Sequence, residues 1–249
     1  MSGDAHKCRR LGRVNPVPFS VTTRRPTQSC AVVLIVVLLA PVVAAAPDSH
    51  DWKLITSEDG IDVYKRPLPG SGIVAFKGVG TIDSPVWRVA SILLDTRRAP
   101  EWADSLKESR VVRRLGPDAY VEYNHLGMPF IIKDREFVSD VTIEVDAASR
   151  TFALVYQPAR ESVAVAPHCV RGEILAGRFE AVSIDGGRQT RFTAELQADP
   201  KGLLPAWLVN LFQRNWPVTT FEHLRTQARK PDIAMPAEFR DVLMRTRGF

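Results

Sequence analysis

Residues 199–209 read Asp-Pro-Lys-Gly-Leu-Leu-Pro-Ala-Trp-Leu-Val, and this stretch decides how the chain is interpreted. Before it, residues 188–198 alternate between apolar and polar side chains, which is typical of a β-strand with one buried face. After it, from Leu204 to Arg229, apolar residues recur at helical spacing. Gly202 and Pro205 stand between the two patterns, where a turn and a helix start are favoured. The stretch therefore predicts that the chain leaves a sheet here and begins its longest helix.

The rest of the chain alternates with a period of two, apart from one helical interval. Ser84-Pro85 predicts the start of a helix that runs to about Leu94, and a second short helix is expected at 99–105. Pro217 predicts a kink in the last helix. The predicted strands are 52–56, 61–66, 73–82, 107–115, 118–126, 133–145, 151–157, 170–184 and 188–198. This order predicts an α+β fold with one antiparallel sheet and a helix across its face.

The first 46 residues differ from the rest and are interpreted as a signal peptide. Ala31–Ala46 is apolar, follows a basic stretch and ends in three alanines, which fits a signal-peptidase site. The run is short for a membrane span, so an uncleaved N-terminal membrane anchor is the alternative. We divide the chain into residues 1–46, a ligand-binding domain at 47–230 and a C-terminal tail at 231–249. The expected location is periplasmic or extracellular.

The net positive charge of the chain comes from residues 1–46. Residues 1–46 hold six basic residues and one acidic residue, which equals the formal charge of +5 on the whole chain. The body is therefore neutral, which argues against nucleic-acid binding. Cys169 is the single cysteine after residue 46, so neither an internal disulfide nor a cysteine-based metal site is expected there.

Five short motifs resemble a known family, the START (steroidogenic-acute-regulatory-protein-related lipid-transfer) domains, and suggest a bacterial, exported member. In chain order they are Gly60–Arg66; Asp95 with Trp102; Asp134-Arg135-Glu136-Phe137-Val138, where Glu136 replaces the usual Asp; Val170-Arg171; and Asp199–Gly202 with Pro205, Trp207 and Asn210. The resemblance implies a helix-grip fold, in which a curved antiparallel sheet wraps around a long C-terminal helix. It also implies a cavity that holds one lipid.

The resemblance does not identify the lipid. Members that hold a phosphocholine head group use an aromatic residue, an arginine and an acid, and their positions correspond here to Leu93, Ala99 and Ala103. Some sterol-binding members use a buried acid–arginine pair. Those positions correspond to a site near Asn124, uncertain by a residue or two, and to Val141. We therefore expect an apolar cavity with few polar anchors.

Strand parity and helix periodicity predict which side chains face the cavity. Asn124 is included from the resemblance. Arg135 is a candidate anchor for a ligand head group, with an ion pair to Asp134, Glu136 or another strand as the alternative. The remaining predicted ligand-binding residues are Phe137, Ser139, Val141, Phe152, Leu154, Tyr156, Phe192, Ala194 and Leu196 on strands, and Leu208, Leu211 and Phe212 on the last helix.

The apolar loop at residues 127–132 is interpreted as a gate at the cavity mouth. Its candidate gate residues are Met128, Pro129, Phe130 and Ile131. Pro129 interrupts strand pairing, and large apolar groups are costly to expose there. Core packing of the same loop is the alternative.

The sequence predicts a non-enzymatic protein that binds and transfers a hydrophobic lipid, contacts membranes transiently and is a monomer. No catalytic residue, cofactor or metal site is predicted, since no hydrolase or zinc motif is present. The main alternative is a helix-grip enzyme of cyclase, aromatase or hydrolase type, for which Tyr123, His125 and Arg135 are the candidate trio. A third interpretation is an envelope protein whose cavity is filled by side chains and which binds a partner protein.

Overall fold

The computed structural model describes residues 52–68, 70, 72–129, 132–160 and 163–249. The predicted signal peptide of residues 1–46 lies outside these residues. Phe130 and Ile131 of the predicted gate loop also lie outside them.

The described residues form ten strands and four α-helices. The strands are β1 (Lys53–Glu58), β2 (Ile61–Pro67), β3 (Val74–Ile82), β4 (Leu106–Gly116), β5 (Ala119–Leu126), β6 (Asp134–Asp146), β7 (Thr151–Pro158), β8 (Cys169–Arg171), β9 (Glu173–Ile184) and β10 (Gln189–Asp199). The helices are α1 (Val86–Leu94), α2 (Ala206–Arg214), α3 (Trp216–Ala228) and α4 (Arg240–Met244). The expected short helix at 99–105 is a 3₁₀ helix at Thr96–Glu101.

All ten strands belong to one sheet, and nine of them follow the order β1-β2-β3-β10-β9-β7-β6-β5-β4, while β8 pairs with β6 beside this path. Every pairing along this path is antiparallel. The chain runs up and down through β4 to β7, and β10 then returns to lie beside β3, so the two ends of the domain share the sheet. The helices lie across one face. This arrangement confirms the α+β class and the helix-grip fold.

The predicted strand at 170–184 is wrong in one respect, because Gly172 divides it in two. β8 pairs in parallel with β6, while β9 pairs with β7 and β10. The Gly172 N–H donates to the Glu136 carbonyl at 2.9 Å, and a Cβ at this position would collide with the Phe137 ring. Only glycine lets the chain approach β6 this closely before it turns into β9.

The predicted long helix is also divided, into α2 and α3 at Asn215. Pro217 lies in the first turn of α3, where its missing N–H costs nothing, rather than inside a continuous helix. α2 and α3 are therefore two consecutive helices that meet at Asn215. Across the part of the chain that the structure describes, none of the helices is both long enough and apolar enough to cross a bilayer.

The core is densest where α3 lies on β3 and β10. Phe221 of α3 is fully buried and contacts Phe192 of β10, with ring centroids 5.3 Å apart. A Cβ at Gly78 or Gly80 of β3 would meet the Phe221 ring, so these glycines let α3 approach the sheet.

Residues 231–249, treated above as a tail, contain α4 and pack on the same core. Phe239 and Leu243 are buried, and the Phe239 ring lies 5.2 Å from the ring of Tyr120 on β5. This segment and α1 cover the inner face of the sheet at one end. At the other end, a cavity lies between the sheet and the helices.

Candidate ligand-binding cavity

The cavity has a volume of about 350 Å³ and is lined by the sheet on one side and by α2 and α3 on the other. Helix residues in its wall include Val209, Gln213, Trp216 and Thr220, and sheet residues include Phe76 of β3. The lining is mostly apolar, which suits a hydrophobic ligand. Its volume falls at the lower end of the range of about 300–1,000 Å³ found for small-molecule sites.

Five residues predicted on the strands line this cavity, and six do not. The five in the wall are Asn124, Arg135, Phe137, Tyr156 and Leu196. The other six are fully buried in the packed end of the domain: Ser139, Val141, Phe152, Leu154, Phe192 and Ala194. Parity therefore predicted the inner face correctly, but part of that face is covered by helices. For example, Phe192 lies under Phe221 instead of facing a ligand.

The predicted contacts from the last helix are shifted around its axis. Leu208 is half-buried but is not in the cavity wall, and Leu211 is 56 % exposed to solvent. Val209 and Gln213 face the cavity instead. Val209, Gln213, Trp216 and Thr220 follow one another at intervals of four, three and four, so the cavity-facing stripe continues across Asn215. The prediction instead chose the neighbouring apolar residues of α2. The side chain of Phe212 lies outside the described part of the structure.

α2 is attached to the sheet by polar side chains. The Asn210 amide donates to the Gly72 carbonyl and its oxygen accepts from the Val74 N–H, both at 3.0 Å. Gln213 donates to the Ala198 carbonyl at 3.2 Å. The motif residue Asn210 therefore fixes the helix that closes the cavity.

Met128 and Pro129 of the predicted gate loop line the cavity. Asp134 holds this loop, since it accepts from the Met128 N–H at 3.0 Å and from Lys107 at 2.7 Å, and pairs with His125 at 2.9 Å. The hydrogen bonds from Lys107 and Met128 keep the Asp134 pKa well below its usual range. The gate role itself stays a prediction.

Arg135 binds backbone carbonyls of the turn after β10 and of Lys133, and forms no ion pair among the described residues. Its guanidinium donates to the carbonyls of Lys133, Pro200 and Lys201. Burial lowers its pKa. The ion pair considered for Arg135 is made instead by Glu136, which accepts from Arg171 at 2.8 Å. Arg135 therefore clamps residues 200–201 onto β6 while its stem lines the cavity.

The junction bends sharply at two consecutive residues with positive φ, Lys201 (53°) and Gly202 (77°). Asp199 stabilises the bend, because its carboxylate accepts from the Lys201 N–H at 2.8 Å. The quoted stretch thus makes an anchored turn between β10 and α2.

Sequence reasoning missed Glu122, a buried carboxyl on β5 that lines the cavity. Ser109 donates to it at 3.4 Å. Burial in the apolar wall raises its pKa to about 7. The signal was available: Glu122 has the parity of Asn124, two residues away, and lies within the stated uncertainty of the acid position.

The three positions that the resemblance assigns to a phosphocholine site lie in the cavity wall, but their side chains cannot bind a phosphocholine group. Leu93, Ala99 and Ala103 all line the cavity, and none carries a charge or a hydrogen-bonding side chain.

The candidate enzymatic trio does not converge. Tyr123 bonds to Glu136 at 3.0 Å and His125 bonds to Asp134, so Arg135 alone of the three reaches the cavity. No cluster suited to a metal ion occurs among the described residues.

An antiparallel sheet with helices across one face and an apolar cavity between them defines the helix-grip class of domains. A family model described as the START domain matches residues 42–230. The chain belongs to the START domain family.

Three similar proteins illustrate the relationship. An uncharacterized protein of Pseudomonas aeruginosa is 28 % identical over 201 residues, which cover 78 % of this chain and 96 % of that protein. The phosphatidylcholine transfer protein of Rattus norvegicus is 22 % identical over 171 residues, covering 66 % and 78 %. The crystal structure of a STAR-related lipid transfer protein from Xanthomonas axonopodis has a TM-score of 0.62 at 20 % identity, covering 72 % of this chain and 99 % of that one.

Proposed function

We propose that this chain binds one hydrophobic lipid in the cavity and transfers it between membranes without changing it chemically. The observation that carries the proposal is the apolar cavity of about 350 Å³ between the sheet and α2–α3. Transfer of apolar ligand surface into such a cavity stabilises the complex by about 25 cal/mol per Å², before the costs of association are subtracted. The lipid-transfer relatives support the proposal.

The transfer part of the proposal is supported by the α2 outer face, which we define as Leu203, Trp207 and Leu211. Trp207 and Leu211 are four residues apart on α2, and Leu203 lies in the segment just before the helix. Leu203 is fully exposed, and Trp207 and Leu211 are 68 % and 56 % exposed. Such a row of large apolar side chains favours contact with a bilayer, and tryptophan is well suited to the membrane interface. The opposite side of the same helix lines the cavity, so one helix would contact both membrane and ligand.

An enzyme of the helix-grip type is the second candidate, because a buried carboxyl with a pKa near 7 is common in active sites. The cavity wall does not add the partners that such chemistry needs. The charged residues among those lining it are Asp104, Glu122 and Arg135, and Arg135 is bound to backbone carbonyls. Recovery of chemically altered lipid after incubation with the protein would favour the enzyme.

We further propose that residues 1–46 direct export and are removed, which would place the domain in the periplasm or outside the cell. The basic stretch, the apolar run and the three alanines support this. Intact mass measurement of the protein from its native host tests it. A mass that corresponds to a chain beginning near Pro47 supports cleavage, whereas a full-length, membrane-bound product supports the anchor.

The lipid-binding proposal is tested on the full chain by native mass spectrometry and by uptake from vesicles. After mild purification we expect one lipid mass per protein, or uptake of one lipid per protein from vesicles made of a total lipid extract. The lipid should be recovered with its mass unchanged. A protein that neither co-purifies with lipid nor takes it up would contradict the proposal and would favour the partner-binding interpretation.

A further inference from the structure

A group of polar side chains lies on neighbouring strands on the sheet side of the cavity; we name it the Glu122 patch and define it as Ser109, Glu122, Asn124 and Ser139. The sheet register brings these residues together: Ser109 lies opposite Asn124, and Glu122 lies opposite Ser139. Directly opposed residues of antiparallel strands point to the same face. Ser109, Glu122 and Asn124 line the cavity. Three of the four patch residues therefore face the space that the lipid would occupy, and Ser139 lies buried opposite Glu122.

No positive charge faces the Glu122 carboxyl from the elements packed against it in the described part of the chain. The neighbouring titratable groups are Tyr120 on β5 and Tyr156 on β7, whose own pKa values are raised by burial and by Glu122. The charged residues elsewhere in the wall are Asp104 and Arg135. Arg135 directs its guanidinium at backbone carbonyls. A carboxylate at position 122 would thus be uncompensated, and burial favours its neutral form.

Several buried polar atoms near the patch have no hydrogen-bond partner among the described residues. They include Ser139 Oγ in the patch, the Tyr120 hydroxyl, and Nε1 of Trp102, whose side chain lines the cavity. Trp102 and Ser139 are more than nine-tenths buried. Because buried polar groups are normally paired, the unpaired Trp102 Nε1 in the cavity wall indicates a ligand that brings hydrogen-bonding capacity to the cavity.

We propose that the Glu122 patch binds the uncharged polar end of the lipid, a hydroxyl or a carbonyl, and that binding requires Glu122 in its neutral form, so that one proton is taken up with the lipid. This inference rests on the proposed lipid-binding function. A neutral carboxyl can both donate to and accept from such a group. A carboxylate would instead lose its hydration to the incoming hydrocarbon without gaining a cation.

The same geometry disfavours charged lipid ends. A phosphate would meet Glu122 and no free cation in the described wall, and the positions suited to a phosphocholine group are Leu93, Ala99 and Ala103. A lipid with a cationic end should behave in the opposite way, since ionised Glu122 would stabilise it. The ligand class is therefore a lipid with one neutral polar end.

The test uses the full chain and three single-chain probes: dodecanol, dodecyl phosphate and dodecyltrimethylammonium. Binding is followed by the fluorescence of Trp102 and Trp216, which line the cavity. We expect dodecanol to bind about tenfold more weakly at pH 8 than at pH 6, because Glu122, with a pKa of about 7, is mostly ionised at pH 8. Dodecyl phosphate should bind more weakly than dodecanol at either pH.

Proton uptake is measured directly by calorimetry of dodecanol binding at pH 8 in two buffers with different ionisation enthalpies. We expect close to one proton taken up per dodecanol bound. The value needs no variant, so it cannot be lost through misfolding. No proton uptake, or dodecyltrimethylammonium binding that strengthens with pH and exceeds that of dodecanol, would overturn the inference.

Glu122→Gln is the matched variant, and Glu108→Gln on the exposed side of β4 is its control. We expect Glu122→Gln to bind dodecanol with the same affinity at pH 6 and pH 8, and Glu108→Gln to keep the tenfold dependence. A pH dependence that survives in Glu122→Gln would assign the proton to another group. If no probe and no vesicle lipid binds the wild-type chain, the proposed function fails; if lipid binds without proton linkage, only this inference fails.

Discussion

Glu122 makes the stability of the folded domain depend on pH, since its carboxyl is buried without a positive partner. Its pKa rises from about 4.5 to about 7 on folding. A raised acid pKa means that the folded chain holds a proton that the unfolded chain releases. The contribution is therefore fully favourable below about pH 4.5, declines as pH rises, and is lost above about pH 7.

We predict that Glu122→Gln removes this decline. Relative to the variant, the wild type should lose roughly 2–3 kcal/mol of unfolding free energy between pH 5 and pH 8, because a shift of one pKa unit corresponds to about 1.4 kcal/mol. Urea unfolding of both proteins at several pH values measures the difference. A constant difference across that range would contradict burial of an unpaired carboxyl.

Gly172 is required for a steric reason, because a side chain has no room at this position. A Cβ there would collide with the Phe137 ring and approach the Asp199 carbonyl at 3.1 Å. We predict that Gly172→Ala destabilises the domain by about 1–3 kcal/mol, as overpacking does. Gly116→Ala is the control, since a Cβ at that position meets nothing within 4 Å. Thermal unfolding distinguishes the two, and equal melting temperatures would refute the steric argument.

At the scale of elements, α2 presents two faces with different expected roles. Val209 and Gln213 line the cavity, while Trp207 and Leu211 are exposed. The two faces can be changed independently because they lie on opposite sides of one nine-residue helix.

We predict that Trp207→Ser slows lipid transfer between vesicles several-fold and leaves the lipid content of the purified protein unchanged. Val209→Asp should have the reverse signature, with lipid content lost, because a carboxylate in the cavity wall is costly. Fluorescent-lipid transfer and native mass spectrometry measure the two properties. Transfer that is unaffected by Trp207→Ser would remove the α2 outer face from the proposal.

The strands show what local patterns can predict. Alternation located nearly every strand and the inner face, and the five cavity residues Asn124, Arg135, Phe137, Tyr156 and Leu196 came from it or from the resemblance. The split at Gly172 was not visible, because it depends on the approach of the Phe137 ring from another strand. The cavity-facing side of α2 was missed because its lining includes the polar Gln213, whereas the apolar Leu208 and Leu211 lie outside the wall.

Within the sheet domain, the helices pack tightly on one end of the sheet and leave the cavity at the other end. Gly78 and Gly80 let Phe221 lie close to β3, whereas the other end leaves space between α2 and the sheet. Which inner-facing residues become core and which become lining depends on this helix placement. Parity along a strand contains no information on it, which is why Val141 and Phe152 were predicted as ligand contacts and are core residues.

We predict that Ala103→Trp fills part of the cavity and weakens lipid binding. Excluding about two methylene groups of the ligand costs about 1.6 kcal/mol, roughly tenfold in affinity. Leu115→Trp, at an exposed position on β4, is the control. Titration with dodecanol compares the two variants, and undiminished affinity in Ala103→Trp would place the lipid elsewhere.

α2 lies between the turn at Lys201–Gly202 and the helix break at Asn215. The hydrogen bonds of Asn210 and Gln213 hold it to the rest of the domain. Such a lid has a kinetic signature. If it opens in solution, lipid release is a unimolecular event whose rate does not change with the amount of acceptor vesicles. If it opens only on a bilayer, the rate rises with acceptor concentration and then saturates. The kinetic order of lipid release therefore distinguishes opening of α2 in solution from opening on a bilayer.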